Sequence, residues 1–375
     1  VVVKEVLAKS ILRKHKRIDS WFISQYGMNL YRGCTHNCGY CDGRSEGYYV
    51  DGEFGKDVVV KVNAIDILEK ELDPRRKRVP LNRCYTMLGG GVGDSYQPIE
   101  SKYKLCRKAL HLCYKFNHPV SILTKSTLIK RDIDIIKKIN EKSRAIVSFS
   151  FSSFDENISS IFEPGVPLPQ DRLNIIKLIK KEGIACGMFL MPVIPFITDK
   201  PKIMEETIKK AKENNLDFII FSGMTLKEGK QKKYFLNILK KNYPDLIPEY
   251  YNIYKKDAWG RPTEEYQKSI HNTFNILSKK YKIPRRIPPY LFKDILSEND
   301  YVFVILEHLD YLMQLEGKKS SFRWAANSIL KLNRPISEIQ KDIRKLKGVG
   351  PKTEKIIHEI INTGNSKLYE KLLIG

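Results

Sequence analysis

Three cysteines, Cys34, Cys38 and Cys41, fall within eight residues at the spacing C-x3-C-x2-C. A loop this short brings three thiolates onto one inorganic centre and leaves no room for an ordinary set of disulfides. Two centres suit it. A structural zinc needs four ligands, usually supplied by paired C-x2-C units, and His36 inside the loop is available as the fourth. A four-iron cluster held by three thiolates keeps one iron open for a substrate or cofactor. Metal choice follows ligand number and softness, and three thiolates with no fourth cysteine nearby favour the cluster.

With Tyr40 before the third cysteine and Tyr31-Arg32-Gly33 ahead of the first, the loop resembles the cluster loop of radical S-adenosylmethionine (SAM) enzymes. The branch it resembles is the one related to spore photoproduct lyase, often labelled DNA repair photolyase-like. The resemblance implies a [4Fe-4S] cluster on Cys34, Cys38 and Cys41 whose open iron binds the amino and carboxylate groups of SAM. It also implies an electron donor such as a flavodoxin or ferredoxin, whose electron cleaves SAM to methionine and a 5′-deoxyadenosyl radical.

Further motifs follow in the family's order over roughly residues 20 to 265. Leu88-Gly89-Gly90-Gly91-Val92-Gly93-Asp94 follows an apolar run, and its glycines let backbone approach a ligand closely or simply make a flexible turn. By resemblance, Gly89, Gly90, Gly91 and Asp94 belong to the segment that contacts the amino group of SAM. Lys125, in Thr124-Lys125-Ser126, is placed to project from a strand end over a barrel mouth, where the lyase has a lysine on the SAM carboxylate. Ser148 and Ser150 alternate with Phe149 and Phe151, so the serines share one strand face, and Ser150 matches a SAM-contacting serine. Glu163, in Glu163-Pro164-Gly165, and Arg172 repeat a family pair. They hold SAM by bidentate contacts or form an ion pair that braces a loop. Met191-Pro192 resembles the strand end that passes the adenine. One departure stands out: where spore photoproduct lyase carries a hydrogen-donating cysteine, the alignment puts Gly91, and the nearest alternatives on the chain are Cys84 and Tyr96.

The composition agrees with a cytoplasmic enzyme that has a polyanionic partner. No run of about 18 apolar residues calls for a membrane helix, and no secretion signal is evident. The seven cysteines are few and odd in number; Cys84, Cys106, Cys113 and Cys186 sit in apolar contexts as reduced core residues. A net charge of +23 is gathered partly in Arg13-Lys14-His15-Lys16-Arg17, Arg75-Arg76-Lys77-Arg78 and Arg285-Arg286, where a solvated face competes with a nucleic-acid footprint.

Apolar runs alternate with amphipathic helical text from Cys84 to Phe221, the rhythm of a parallel α/β sheet. The fold class expected is α/β, a partial (β/α)6 radical SAM barrel followed by a helical extension and an all-α domain. The boundaries expected are 1–25 for a basic N-terminal arm, 26–226 for the barrel, 227–296 for a helical extension and proline-punctuated linker, and 297–375 for a helix-hairpin-helix domain.

In that last segment, Leu346-Lys347-Gly348-Val349-Gly350-Pro351-Lys352 separates helical patterns over Ile336–Leu346 and Pro351–Asn362. Glycines for the turn, Pro351 at a first helical position and amides at a helix N-terminus make a phosphate site. Gly348, Val349, Gly350 and Lys352 are the candidate nucleic-acid contacts, to backbone rather than bases. DNA is the expected partner, with RNA the alternative. The text from Val302 onward resembles the N-terminal domain of family X DNA polymerases. The position of that family's Schiff-base lysine falls on Ile356, so the resemblance carries over binding and not lyase chemistry.

Overall fold

Strands rich in Val, Ile and Phe form where the apolar runs predict them, because strands covered on both faces read as continuous hydrophobic text. The computed structural model describes all residues except 1, 49–51, 77–78, 90–91 and 256. Its strands, in chain order, are β1 (Val3–Val6), β2 (Leu12–Asp19), β3 (Ser24–Met28), β4 (Tyr31–Arg32), β5 (Val58–Lys61), β6 (Tyr85–Leu88), β7 (Val120–Thr124), β8 (Ala145–Phe151), β9 (Ala185–Val193) and β10 (Phe218–Gly223). Seven of them make one sheet in the order β10-β9-β8-β7-β6-β3-β2. From β3 to β10 every pairing in it is parallel, and β2 is added antiparallel at the edge. This is the expected six-stranded partial barrel with one extra strand. A small sheet, β1-β5-β4, flanks it.

The helices between strands carry apolar stripes and cover the outside: Leu105–Lys115, Ile133–Lys142, Pro169–Lys181 and Pro201–Glu213. A short helix, Glu100–Tyr103, precedes Leu105–Lys115 and is separated from it at Lys104, whose φ is +55°. Ser148 and Ser150 lie on β8 as predicted; Phe149 and Phe151 are fully buried, and Phe151 lies against the Arg172 guanidinium of helix Pro169–Lys181.

Two stretches are more ordered than their sequence suggests. The basic arm is built into the barrel, since residues 12–19 form β2. The proline-punctuated linker is docked rather than loose: Arg285 donates its backbone amide to Leu373 O at 3.1 Å, and Tyr85 donates its hydroxyl to Leu291 O at 2.5 Å. Arg285 and Arg286, expected in a surface charge cluster, are 0% and 1% exposed. Arg286 stacks 3.3 Å over the Tyr311 ring and so fastens the C-terminal helices. Of the third cluster, Arg75 pairs with Asp73, and Lys77 and Arg78 lie outside the described residues.

Helices Lys230–Asn242 and Ile247–Ile253 fold back over the barrel, where Phe235, Leu239 and Tyr250 form an apolar cluster with Cys38, Tyr40 and Phe162. The C-terminal segment is helical, beginning with Glu298–Leu315 capped by Ser297. Its hairpin pairs a 3-10 helix, Ile336–Lys345, kinked at Ile339, with the α-helix Pro351–Thr363, which ends at Gly364 with φ +75°. The first of these is not the regular helix expected there. Among the described residues no helix is long and apolar enough to cross a membrane.

Candidate active site

The cysteine loop leaves the C-terminal end of β3 by way of β4 and is fixed from four sides. Gln97 donates its amide to Gly33 O at 2.9 Å and accepts from Thr35 N at 3.1 Å. Gly39 N donates to Phe162 O at 2.7 Å, and Gln231 donates to Tyr40 O at 3.0 Å. Arg44 donates to Cys38 O at 3.3 Å while its guanidinium lies 3.4 Å over the Tyr234 ring. Gly165 packs on the loop so closely that an added Cβ would stand 2.6 Å from Thr35 O.

His36 is a strut. Its Nδ1 lies 2.9 Å from Gly165 O and its Nε2 3.1 Å from Asp94 Oδ2. Both ring nitrogens are engaged by the protein's own carbonyl and carboxylate oxygens and not by the thiols. The zinc reading thus loses its fourth ligand. Among the described residues no group of three or more His, Cys, Asp and Glu side chains is placed to hold a single metal ion. Cys34 and Cys38 are buried and Cys41 is partly exposed. Burial pushes the Cys34 thiol up to about 12 and raises Cys38 and Cys41 as well, so thiolates at these positions need positive charge in contact.

A cavity of about 800 Å³ opens over the strand ends. Its lining draws on Gly27 and Met28 of β3, Met87 of β6, Met191-Pro192 of β9, residues 222–225 at the end of β10 and just past it, and Gly33, Tyr40 and Cys41 of the loop. Gly89, Gly93 and Asp94 also line it. Gly89 has φ +86°, a left-handed conformation that favours glycine, and a Cβ there would meet Leu123 O at 2.5 Å. At Gly93 a Cβ would lie 3.0 Å from Gly33 O. The close approach made by these two glycines is to the protein's own β7 and cysteine loop. Gly90 and Gly91 lie outside the described residues.

The remaining predicted cofactor residues form a network behind the loop and do not line the cavity. Asp94 accepts from Thr124 Oγ1, Lys125 N, Tyr96 N and His36. Burial works to raise its carboxyl, and those donors outweigh burial and hold it below the usual range. Lys125 Nζ donates to Glu163 Oε1 at 2.8 Å, and Arg172 donates to Glu163 Oε2 at 2.8 Å and to Ser150 O at 2.6 Å. Tyr40 also bonds Glu163. Burial disfavours the Glu163 charge, yet Lys125 and Arg172 keep its carboxyl well below the usual range. Glu163 and Arg172 are 1% and 0% exposed, so in this structure they make the ion pair that braces the loop. Ser150 donates to Met191 O at 2.8 Å, and Ser148 Oγ is buried without a partner.

Cys84 is buried just before β6, at the end of the sheet away from the mouth, and Tyr96 is fully buried; neither lines the cavity. Sequence reasoning gave no role to Gln97, Gln231 or Arg44. Gln231 lies 191 residues from the carbonyl it holds, a separation at which a single sequence carries no signal. In the C-terminal hairpin Gly348 has φ +85° and abuts Trp324, Val349 is buried, and Lys352 is exposed. Gly350 is extended at φ −98°, ψ 179°, and a Cβ there would meet nothing within 4 Å. Only Gly348 is therefore demanded by the turn. Ile356 is buried in the core.

The Radical SAM superfamily profile matches residues 28–211, and the profile of a helix-hairpin-helix domain matches residues 297–366. An uncharacterized protein of Mycobacterium tuberculosis is 30% identical over 296 residues, 77% of this chain and 84% of that one. An uncharacterized protein of Methanocaldococcus jannaschii is 32% identical over 248 residues, 66% of this chain and 86% of that one. Among solved structures, spore photoproduct lyase complexed with dinucleoside spore photoproduct superposes with a TM-score of 0.55 at 17% identity, over 74% of this chain and 79% of that one. A variant of that lyase with bound AdoMet and the same dinucleoside gives 0.54 at 17%, over 75% and 79%. At this identity the likeness shows a shared fold. With the profile covering the cysteine loop and the parallel strands behind it, the chain belongs to the radical SAM superfamily as an enzyme of that class, and a helix-hairpin-helix domain follows its barrel.

Proposed function

We propose that this enzyme acts on DNA, repairing a lesion or modifying a base, with Cys34, Cys38 and Cys41 holding a [4Fe-4S] cluster. The observation that carries the reading is the placement of the three cysteines in one braced loop, with Cys41 in the wall of a cavity at the C-terminal ends of parallel strands, where barrel enzymes keep their chemistry. The residues fit the cluster. In a four-iron core each thiolate holds a different iron, so the sulfurs need not converge on one point, and the other four cysteines lie buried elsewhere in the fold, leaving one iron open. When bound, the cluster and SAM supply reductive cleavage to methionine and a 5′-deoxyadenosyl radical.

The chain's own residues do the holding. Asp94 ties the strut His36 to the ends of β6 and β7. Lys125, 14% exposed in its side chain and paired with Glu163, is the cation of the network that would hold the SAM carboxylate. Gly89 and Gly93 keep backbone close beneath the loop, and Ser150 fixes the carbonyl of Met191 at the cavity wall. The helix-hairpin-helix domain supports a nucleic-acid substrate, since the space around Gly350 is open and Lys352 stands exposed in the first helical turn after it, where a phosphate is favoured.

The enzyme is not a spore photoproduct lyase in the strict sense: it acts on another nucleic-acid substrate or quenches its radical differently, because the alignment gives Gly91 no thiol, and Cys84 and Tyr96 do not line the cavity. The test is anaerobic enzyme with SAM and reductant, given irradiated DNA, plain DNA or RNA, followed by mass spectrometry of nucleosides and 5′-deoxyadenosine. A rise in 5′-deoxyadenosine with DNA supports the reading; a rise with RNA alone replaces the substrate. Clean repair of authentic spore photoproduct to thymine would overturn the distinction drawn from Gly91.

A further inference from the structure

The edge strand β2 carries Arg13, Lys14, His15, Lys16 and Arg17, all exposed. Among the described residues no carboxylate pairs with Arg13, Lys14 or Lys16, whereas Arg107, Arg131 and Arg144 on other faces are each paired with an aspartate. One end of the run reaches the active-site cavity: Arg13 and His15 are in its lining, and the His15 ring lies over Gly27. The other end touches the C-terminal domain: Arg17 donates to Asn327 Oδ1 at 3.1 Å and pairs with Glu307 at 3.6 Å.

Asn327 belongs to helix Phe322–Ile329, which also carries Trp324, 60% exposed, and Ser328, whose hydroxyl donates to Lys347 O of the hairpin at 2.8 Å. Residues 324, 327 and 328 share one helical face, so a single helix face joins Arg17 to the hairpin. Lys347 lies 5.2 Å over the Trp324 ring, and Gly348 packs against Trp324. The basic strand begins at the cavity rim and connects to the phosphate-binding loop through helix Phe322–Ile329, with Asp19, which also lines the cavity, and Glu307 as the acids beside its last residues.

We propose that β2 is a DNA-binding strip which, together with the hairpin, holds one duplex across the face of the barrel and lays its backbone against the cavity. This rests on the nucleic-acid reading given above and adds a second contact that the hairpin alone does not supply. Because the C-terminal domain is docked on the barrel, the hairpin and the cavity stand in fixed register, and the nucleotide presented to the site lies a set number of steps from the phosphate held at Gly350. Lysines on an edge strand also guard against pairing between copies of a sheet; that role is indifferent to DNA.

The test measures binding of a fluorescent duplex of about 20 base pairs, where one phosphate contact contributes about 0.9 to the slope of log affinity against log salt. Four full-length proteins are compared: wild type, R13Q/K14Q/K16Q, the charge-preserving R13K/K14R/K16R, and K352Q. The neutralised strip is expected to bind at least about tenfold more weakly, with the salt slope reduced by about two to three. The charge-preserving variant should bind as wild type, and K352Q should lose about one unit of slope. Wild-type-like binding by R13Q/K14Q/K16Q beside weakened K352Q overturns the strip and leaves the nucleic-acid reading standing, and so does oligomerisation of that variant with unchanged affinity. Wild type that binds neither DNA nor RNA overturns the reading itself. A loss seen only with RNA or with single strands overturns duplex DNA as the occupant. Should the triple variant fail to fold, K14Q/K16Q carries the same comparison with about two units of slope.

Discussion

The cysteine loop and the hairpin loop are both short, glycine-bearing and placed at the ends of regular elements, yet the fold treats them in opposite ways. Around Gly33–Cys41 space is used up: a Cβ on Gly165 would strike Thr35 O at 2.6 Å and His36 O at 2.8 Å. His36, Gln97, Gln231 and Arg44 hold the loop from separate parts of the chain. Around Gly350 a Cβ would meet nothing within 4 Å, and Lys352 is exposed. A loop that is to hold a charged cofactor in a dry site has its geometry fixed in advance, because low dielectric punishes loose charge. A loop that is to meet a large, hydrated polyanion has to leave its donors uncovered.

The largest effect should come from the thiols. Replacing Cys34, Cys38 or Cys41 singly with alanine is expected to abolish iron binding and SAM cleavage. The hairpin variant K352Q should keep iron binding and, with no nucleic acid present, SAM cleavage at wild-type levels, read as iron content and 5′-deoxyadenosine. Any thiol variant that retained full turnover would erase the contrast between the loops.

Arg172→Ala leaves Glu163 buried beside Lys125 without its second cation. Breaking a buried pair from one side costs about 3–5 kcal/mol, so a fall of several degrees in melting temperature is expected, with cluster loading reduced because Glu163 also holds Tyr40. Equal stability to wild type would show that Glu163 and Arg172 are not a brace.

The same change in each loop sharpens the comparison further. Gly165→Ala forces Cβ against backbone, and overpacking of this kind costs about 1–3 kcal/mol. Gly350→Ala sits in open space and loses at most about 1 kcal/mol as a poorer helix cap. Urea midpoints of the two variants should separate in that order; the reverse order would contradict the packing described.

The smallest effect is a pH dependence where the two halves meet. His308 lies fully buried between Tyr369 and the carbonyl of Ser20. Burial, helped by the Arg286 charge, pushes its imidazole down to about 3 from an ordinary 6.5, against the bond from Ser20 that raises it. Below 6.5 the unfolded chain takes up a proton that the native ring does not. Stability is therefore unaffected above that pH and falls below it, by up to about 1.4 kcal/mol per pH unit. Urea midpoints of wild type should drop between pH 7.5 and 5.5, and His308→Gln should flatten that difference.

Much of this was legible in the chain. The cysteine spacing named the loop, and the alternation of apolar runs with helices named five of the six parallel strands, β6 to β10, since both are local patterns; β3, short and polar at Ser24–Met28, was expected only from the resemblance. Gly364 and Pro351 marked the ends of a helix by their backbone preferences. The failures came from contacts distant in sequence. Nothing local told that Arg285 and Arg286 would be buried under C-terminal helices, because burial of an arginine depends on the aromatic that later stacks on it. The run Arg13–Arg17 reads as an arm because charged residues mask β propensity, and only pairing with β3 makes it a strand. Glu163 and Arg172 were left between two roles by sequence, and in the fold they form a buried ion pair.

The central claim is that the cysteine loop carries a four-iron cluster with one iron open to SAM. Anaerobically reconstituted wild-type protein, assayed for metal and examined by electron paramagnetic resonance after reduction with and without SAM, tests it directly. The account predicts about four irons per chain and a reduced-cluster signal that changes on SAM addition. Folded protein with one zinc, no iron and no response to SAM would contradict it.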